Sequence, residues 1–501
     1  MLVVRGTVVT MRPGGEIYPQ GAVYVDDQGL IVAVTPADPE PAGFQAAPSI
    51  NTGGLIYPGL IDLHNHLLYN SLPLWTEPAR TSPWTSHNQW VDAPSYPTAV
   101  SAPARLLGAA AGRALLRYVE TRALVGGTTS IQGNPRGATP PDNDLTRNID
   151  TERFGTNQDY IRVRTIVADT LADLEPYVAA VQQGRGFISH TAEGTQASLR
   201  QEFTLLDQAG LIRKQLVVIH GGALTGPDFQ LLAAGDATLV WSPFSNLWLY
   251  GATADIAAAK AAGVRICLGS DWAPSGTRNI LWELKVADLW NQAQPSPVFT
   301  DQELAGLVTA NPGQALSGMW PHPVGSVDVG GLADLVVVAR RHPDPYRNLI
   351  QATEPDIRLV LVGGTPRYGI RSLMTAAGAT AATQLRVGRL SRTIDYGDPT
   401  ITWAKVLSEL ERVRTNPQQA IQHAVAALQA IATIGPADDA PFVLLPDMPT
   451  PQTDSPAATL EVLAPVVVPS PQPLTTGRAW FDAVDANPFH GGLLSGLRHY
   501  T

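Results

Sequence analysis

Residues 57–70, YPGLIDLHNHLLYN, combine an apolar run with a closely spaced pair of histidines. Pro58 and Gly59 indicate a turn, and the apolar residues that follow are typical of a short buried strand. Side chains two positions apart on a strand share a face, so His64 and His66 are expected to point the same way. Because neutral imidazole nitrogens bind zinc and similar divalent ions, the pair predicts half of a metal site at a strand end.

Short apolar runs separated by helical stretches continue from residue 57 to about residue 320. This alternation predicts an α/β fold with a parallel sheet, and its length suits a (β/α)8 TIM-type barrel over residues 57–324. Seven strands are clear, and the missing one, fourth in order, is expected near residues 170–181. The clear strands are predicted at residues 60–64, 128–132, 162–167, 187–190, 215–220, 238–241 and 264–269.

The segments on either side of this region have strand-like patterns. Residues 1–56 alternate apolar and polar side chains and predict a small antiparallel unit, and residues 325–374 contain further strand-like runs. We expect the two flanks to join in one small β-sandwich. Residues 375–501 are predicted to form a C-terminal extension, helical over 403–434 and proline-rich over 435–473, which either mediates homo-oligomer contacts or covers the site.

Composition limits the classes of partner. The chain has 501 residues, 44% hydrophobic and 16% charged, which is typical of soluble globular proteins. A net charge of −10 argues against nucleic acid or an anionic membrane as the main partner. The first fifteen residues lack a secretory-signal pattern, and a lone cysteine, Cys267, excludes an internal disulfide, so we expect a cytoplasmic protein with a small-molecule substrate.

Polar residues follow several of the predicted strands at the point where each strand ends. His190 closes the run GFISH and is followed by Glu193, His220 closes QLVVIH, and Asp271 follows ICLGS. The active face of a parallel barrel lies at the carboxyl ends of its strands, where these side chains would meet His64 and His66. Imidazole and carboxylate groups gathered at one face predict a metal site.

With these residues in place, the sequence resembles the amidohydrolase superfamily, in the branch of cytosine deaminases, guanine deaminases and triazine hydrolases. The similarity covers about residues 1–370, in the family's order and approximate spacing. It is carried by GLIDLHNH at 59–66, the H-x-x-E of 190–193, HGGAL at 220–224, SPFSNLWL at 242–249, GVRICLGSD at 263–271 and NPGQAL at 311–316.

The resemblance implies a role for each matched residue. One divalent metal would be bound by the four ligands His64, His66, His190 and Asp271. His220 would contact the water at the metal or the substrate oxygen, and Glu193 would shuttle protons. The chemistry of the side chains agrees, because Asp271 can serve as a base, Glu193 can protonate a leaving nitrogen, and His220 can stabilise an oxyanion.

The lysines bear on the number of metals. Many members of the superfamily bind two metals bridged by a carboxylated lysine on the fourth strand. None of the four lysines of this chain ends a predicted strand; they are Lys214, Lys260, Lys285 and Lys405. The sequence therefore predicts one metal ion per chain, either Zn²⁺ or Fe²⁺, which accept the same ligands.

Four further residues are predicted to bind substrate: Gln132, Ser245, Asn246 and Trp272. Gln132 and Asn134 end the second predicted strand, where a turn role is equally open. Trp272 follows Asp271 directly, a departure from the cytosine deaminases that argues against a pyrimidine substrate. The long insertion at residues 67–102, rich in proline and tryptophan, is expected either to roof the site or simply to pack.

The sequence as a whole predicts a metal-dependent hydrolase that cleaves a non-peptide C–N bond. Deamination of an aminated heterocycle is the leading reaction. Hydrolysis of a cyclic amide, imide or other N-acyl compound is the alternative within the enzyme class. A non-catalytic member of the superfamily with a structural role is the alternative outside it.

Overall fold

The computed structural model describes residues 1–133, 145–165, 167–434, 442–444 and 466–501. The strands in these ranges are β1 Leu2–Val9, β2 Ile17–Val25, β3 Ile31–Thr35, β4 Ser49–Pro58, β5 Leu60–Asp62, β6 Thr128–Ile131, β7 Arg147–Asn148, β8 Ile161–Arg164, β9 Gly186–Thr191, β10 Leu216–His220, β11 Thr238–Trp241, β12 Arg265–Leu268, β13 Leu335–Val338, β14 Ile357–Val362, β15 Thr365–Gly369, β16 Ala382–Val387 and β17 Leu390–Asp395.

The α-helices in the same ranges lie mainly between and after the strands of the central region. They are α1 His87–Val91, α2 Ala102–Val125, α3 Glu175–Gln182, α4 Arg200–Gln208, α5 Gly226–Ala234, α6 Pro243–Tyr250, α7 Ile256–Ala261, α8 Ile280–Gln292, α9 Asp301–Gly306, α10 Ala310–Leu316, α11 Pro345–Gln351, α12 Arg371–Ala376, α13 Trp403–Thr415, α14 Pro417–Ile434 and α15 Arg478–Ala486. Within the described ranges, no helix combines the length and the hydropathy that a bilayer span requires.

The two flanking segments meet in one sheet of nine strands, in the order β16-β17-β15-β14-β13-β4-β1-β2-β3. The junction is the antiparallel pair β4–β13, in which Tyr57 lies opposite Val336. Apolar side chains from both flanks, among them Val8, Ile56 and Leu335, form a shared core. Residues 382–395, within the predicted C-terminal extension, form β16 and β17 at the edge of this sheet.

The central region is α/β with parallel strand pairing. Strands β8 to β12 form a five-stranded parallel sheet, and β5, β6 and β7 form a three-stranded parallel sheet. The first strand of the region extends beside the last, because the Asp271 amide donates to the His64 carbonyl at 3.0 Å and Asn65 forms a parallel bridge with Asp271. The carboxyl ends of β5 and β12 therefore lie side by side.

One predicted strand is wrong. Residues 170–181 contain helix α3, and the strand that the sequence pattern missed is β7, third in order. Leu174, Val178 and Val181 recur at helical spacing, so this pattern is one of a helix face. A strand of two residues has no periodicity to detect. The strand predicted at residues 162–167, third in the predicted order, is β8 and is fourth in the observed order. Strand β8 contains no lysine that could bridge two metals, so the prediction of a single metal is unchanged.

The insertion at residues 67–102 packs over the carboxyl ends of the central strands. Its aromatic rings form a buried cluster with Trp272, whose ring centroid lies 5.2 Å from that of Tyr69 and 5.1 Å from that of Trp90. Trp75 stacks on Trp84 with centroids 5.7 Å apart. The insertion thus covers the edge of the sheet at which the predicted site lies.

The last described segment packs against the same face of the molecule. Trp480, on α15, lies with its ring 5.4 Å from Phe244 on α6. Asn487 donates from Nδ2 to the carbonyl of Trp248 at 3.4 Å. The C-terminal residues therefore support α6, the helix that carries Ser245 and Asn246.

Candidate active site and metal centre

Four histidines and one aspartate converge at the carboxyl ends of the parallel strands. His64 and His66 follow β5, His190 lies in β9, His220 ends β10 and Asp271 follows β12. Donor atoms of His64, His66 and His190 all lie within 4.8 Å of one another, as do those of His64, His220 and Asp271. The Oδ1 atom of Asp271 is 3.2 Å from His64 Nε2 and 3.6 Å from His66 Nε2. All five side chains are buried.

The backbone is strained where these side chains are presented. Ala192, His220 and Asp271 have φ values of 55°, 70° and 59°, in the left-handed region that non-glycine residues rarely adopt. In the described part of the chain they are half of the six non-glycine residues with positive φ. Such strain persists only where surrounding packing holds it, and it is typical of functional sites.

The donor set fits a divalent metal ion. Among the described residues, His64 Nε2 and His190 Nδ1 are buried polar atoms with no partner in hydrogen-bond geometry. An unsatisfied buried nitrogen costs free energy, and coordination of a metal would satisfy it. Burial, and then the neighbouring imidazoles, lower the pKa of His190 well below the ordinary histidine value, so the ring is neutral and able to bind a cation. Imidazole nitrogens with one carboxylate suit zinc or iron.

Gln132, predicted to bind substrate, contacts a histidine of the centre. Its Oε1 atom lies 3.2 Å from His64 Nδ1 and accepts from the Asn65 amide at 3.0 Å, while its Nε2 donates to Asp150 at 2.9 Å. Because Oε1 can only accept, the proton of His64 lies on Nδ1. The Nε2 atom faces Asp271 Oδ1 at 3.2 Å, and a metal ion held between the two would be bound by its lone pair.

A chain of hydrogen bonds likewise determines the tautomer of His220. The indole of Trp241 donates to the Thr253 hydroxyl at 2.6 Å, so that hydroxyl donates its own proton to Asn246 Oδ1 at 3.3 Å. The amide nitrogen of Asn246 therefore faces His220 Nδ1, at 3.2 Å, and Nδ1 accepts. Burial lowers the pKa of His220 to about 3. The ring is a neutral donor with its proton on Nε2.

Two carboxyl groups complete the centre, and their pKa values are shifted in opposite directions. Burial raises the pKa of Glu193 to about 7, which suits a group that gives and accepts protons at neutral pH. Its Oε2 lies 3.7 Å from His220 Nε2. Burial alone would raise the pKa of Asp271 as well, but the adjacent His64 and His220 hold it below the ordinary aspartate value, so this group stays ionised.

Of the remaining predicted substrate contacts, Asn246 faces His220 as described above. Ser245 and Trp272 are tied to each other through a third residue, because the Ser275 hydroxyl lies 3.1 Å from that of Ser245 and accepts from the indole of Trp272 at 2.5 Å. Both side chains are buried in this arrangement. Asn134 lies outside the described residues.

The structure adds residues that sequence reasoning missed. Tyr250 donates to Glu193 Oε1 at 2.6 Å, and Asp150 accepts from Gln132. Tyr250 had a detectable signal, because it lies four residues after Asn246 and therefore on the same face of α6. Asp150 had none, since it follows a strand of only two residues.

Comparison with known proteins agrees with this geometry. A family model described as the amidohydrolase family matches residues 175–371, which include His190, Glu193, His220 and Asp271. Residues 175–371 are thus similar to the amidohydrolase family. The resemblance predicted from the sequence motifs is thereby confirmed.

Curated proteins similar to this chain include 5-methylthioadenosine/S-adenosylhomocysteine deaminases. The protein from Pyrococcus furiosus is 32% identical over 142 residues, a match that spans 28% of this chain and only 33% of the relative. The protein from Syntrophobacter fumaroxidans is 27% identical over 433 residues, covering 75% of this chain and 94% of the relative.

Solved amidohydrolase-like structures share the fold. The atrazine chlorohydrolase of Arthrobacter aurescens TC1, in complex with zinc and atraton, aligns with a TM-score of 0.59 at 16% identity, over 73% of this chain and 95% of the other. An adenosine deaminase from Xanthomonas campestris with bound zinc aligns with a TM-score of 0.58 at 22% identity, over 75% of this chain and 96% of the other. At these identities the similarity establishes the mixed α/β fold.

Proposed function

We propose that this amidohydrolase is a metal-dependent deaminase that removes an exocyclic amino group from an aromatic heterocycle, with an adenine-type ring as the first candidate. One observation carries the proposal. A neutral donor on His220, a Glu193 carboxyl with a pKa of about 7 and an ionised Asp271 surround the converging imidazoles. The names of the two curated relatives described above, both deaminases of adenosine derivatives, support the choice of ring.

The metal would be held by His64, His66, His190 and Asp271, as one Zn²⁺ or Fe²⁺ ion per chain. When bound, the ion supplies Lewis acidity that makes water a competent nucleophile near neutral pH. His64, His66 and His190 would provide the imidazole ligands, and Asp271 would provide the carboxylate. This role of the four side chains is the part of the proposal on which the others depend.

The protein side chains would carry the protons of the reaction. Asp271 would accept a proton from the attacking water, and Glu193 would deliver a proton to the departing nitrogen, which leaves as ammonia when the C–N bond breaks. The Nε2–H group of His220 would donate a hydrogen bond to the oxygen at the attacked carbon, where negative charge develops. Water and an amino heterocycle thus become ammonia and the corresponding oxo heterocycle.

The surroundings of the centre favour a planar substrate. Tyr69 contacts His66 edge-on, with ring centroids 6.5 Å apart, and begins the aromatic cluster that includes Trp90 and Trp272. These rings are buried against one another and give the centre apolar, aromatic surroundings, which supports an aromatic substrate.

The proposed function also requires the strand ends to meet at one face, which concerns how the central strands close. We infer that β5 to β12 close into an eight-stranded barrel, which the backbone contacts between β5 and β12 support, and that the nine-stranded sheet folds as a sandwich. Cytoplasmic location and homo-oligomerisation stay predictions from the sequence.

The test is an assay of the full chain, stripped of metal and reconstituted with Zn²⁺ or Fe²⁺. Substrates would include adenosine, 5-methylthioadenosine, S-adenosylhomocysteine, guanine, a triazine and a cyclic imide, with ammonia release and product mass as readouts. Ammonia from an adenine-type ring, absent in Asp271→Ala, is the expected result. Ring opening of the imide without ammonia, or failure to retain about one ion per chain, would overturn the proposal.

A further inference from the structure

The side chain of Glu193 is held by a hydrogen-bond chain that starts in the insertion. The indole Nε1 of Trp90 donates to the hydroxyl of Tyr250 at 3.0 Å, and that hydroxyl donates to Glu193 Oε1 at 2.6 Å. An indole N–H can only donate, so the Tyr250 oxygen is the acceptor of the first bond. The single hydroxyl proton is therefore directed at Glu193. All three side chains are buried.

We propose that Tyr250 is a positioning residue that fixes the side chain of Glu193 and leaves its Oε2 atom for proton transfer. The inference rests on the proposed function, in which Glu193 is the proton shuttle. Oε1 is engaged by Tyr250, whereas Oε2 is the oxygen that lies 3.7 Å from His220 Nε2, on the side of the metal centre. A carboxyl with two equivalent oxygens is thus made asymmetric by one hydroxyl group.

Tyr250 can act in this way because the end of α6 is immobilised by other segments. The Leu249 carbonyl accepts from the Trp84 amide at 3.0 Å. The Trp248 carbonyl accepts from Arg80 at 3.1 Å and from Asn487 at 3.4 Å. Carbonyls at the end of a helix lack partners within the helix, and here the insertion and the C-terminal segment supply them.

The loop that carries Glu193 is fixed by the same insertion. The amide of Thr195 donates to the carbonyl of Thr85 at 2.8 Å, and the amide of His87 donates to the carbonyl of Glu193 at 3.1 Å. Residues 84–90 therefore contact both the shuttle loop and, through Trp90, the residue that orients the shuttle. This arrangement gives the insertion a role in positioning Glu193.

The kinetic test uses Tyr250→Phe in the zinc-loaded full chain, which removes one hydroxyl and keeps the ring. We expect kcat to fall about ten- to a hundredfold because the carboxyl is misplaced, with KM changed by less than about twofold. In the background of Glu193→Gln the same substitution should have little further effect. Additive losses in the double variant would overturn the proposal, since they would mean that Tyr250 acts independently of Glu193.

Tyr57→Phe is the matched control, because the Tyr57 hydroxyl donates a 2.7 Å bond to the Pro345 carbonyl at the start of α11 and belongs to neither hydrogen-bond chain of the centre. It should leave kcat unchanged. Crystal structures of the zinc-loaded wild type and of Tyr250→Phe separate this inference from the proposed function. A protein inactive on every substrate would refute the function, while the position of Glu193 would still decide the role of Tyr250. An unmoved Glu193 side chain in the Tyr250→Phe variant would refute the positioning role of Tyr250.

Discussion

Gln132 Oε1 lies 3.2 Å from Nδ1 of His64 and fixes which nitrogen of that ring carries the proton. The glutamine is itself held by Asp150, which accepts from its Nε2 atom. A residue predicted to touch substrate is thus placed behind a proposed metal ligand. Orientation of this kind raises the basicity of the coordinating nitrogen and lowers the entropy lost on binding.

Replacement of Gln132 by Leu should weaken zinc binding by about ten- to a hundredfold, because Nδ1 loses its acceptor and the ring its fixed tautomer. Competition with a fluorescent zinc chelator measures this directly. Glu193→Gln, which alters no proposed ligand, is the control and should bind zinc as the wild type does. Equal affinity for Gln132→Leu and wild type would contradict the assignment.

Replacement of Glu193 by Gln should slow kcat by about two to four orders of magnitude while metal content stays near that of the wild type. The amide keeps the shape of the carboxyl group but cannot exchange a proton. Steady-state kinetics together with elemental analysis of the same preparation provide the measurement. Loss of the metal in this variant would instead make Glu193 a ligand.

Replacement of Thr253 by Val should lower kcat about five- to tenfold, because the orientation of Asn246, and with it the tautomer of His220, is no longer fixed by a hydrogen bond worth about 1 kcal/mol. Metal content should not change. Thr204→Val, which removes an exposed hydroxyl that donates to the Arg200 carbonyl, is the matched control. A Thr253→Val enzyme as fast as that control would show that the chain from Trp241 does not act on His220.

The stability of the protein should depend on pH through Glu283. Burial raises the pKa of this carboxyl from 4.5 to about 8, where it contacts the Phe244 amide and the Thr277 hydroxyl. Since the folded pKa is the higher one, stabilisation by the protonated form is complete below pH 4.5 and is lost as pH rises to about 8.

Calorimetry at pH 5 and pH 8 tests this dependence. Glu283→Gln does not titrate, so its Tm relative to that of the wild type should increase between the two values. The exposed Glu409→Gln should show a constant difference. A constant difference for Glu283→Gln as well would mean that Glu283 is ionised in the folded protein throughout this range.

The parallel α/β arrangement could be predicted because each long strand is a contiguous apolar run of its own. The run QLVVIH identifies β10 without reference to any other part of the chain. Strand β7 could not be found in this way, because two residues carry no period and its position depends on pairing with β6. Helix α3 was missed for a related reason, since a short amphipathic segment is ambiguous until its apolar face has a neighbour.

In the candidate site too, some residues could be predicted from the sequence and others could not. His64, His66, His190, His220 and Asp271 could be named from the sequence because each follows or ends a strand, and parallel strands bring such positions to one edge. The range matched by the family model includes the residues from 190 to 271. Tyr250 and Trp90 lie on separate helices that approach each other only through packing, so the hydrogen bond between them has no local signal.

The sequence by itself determined the alternation of the longer central strands and helices and the residue types at the strand ends, because both follow from periodicity within short segments. Only the tertiary structure decided which nitrogens of His64 and His220 face the centre, which oxygen of Glu193 faces His220, and what Gln132 touches. These properties depend on donors and acceptors that are distant in sequence, such as Trp90 with Tyr250 and Gln132 with Asp150. The direction of a hydrogen bond is fixed by its partners, and folding chooses them.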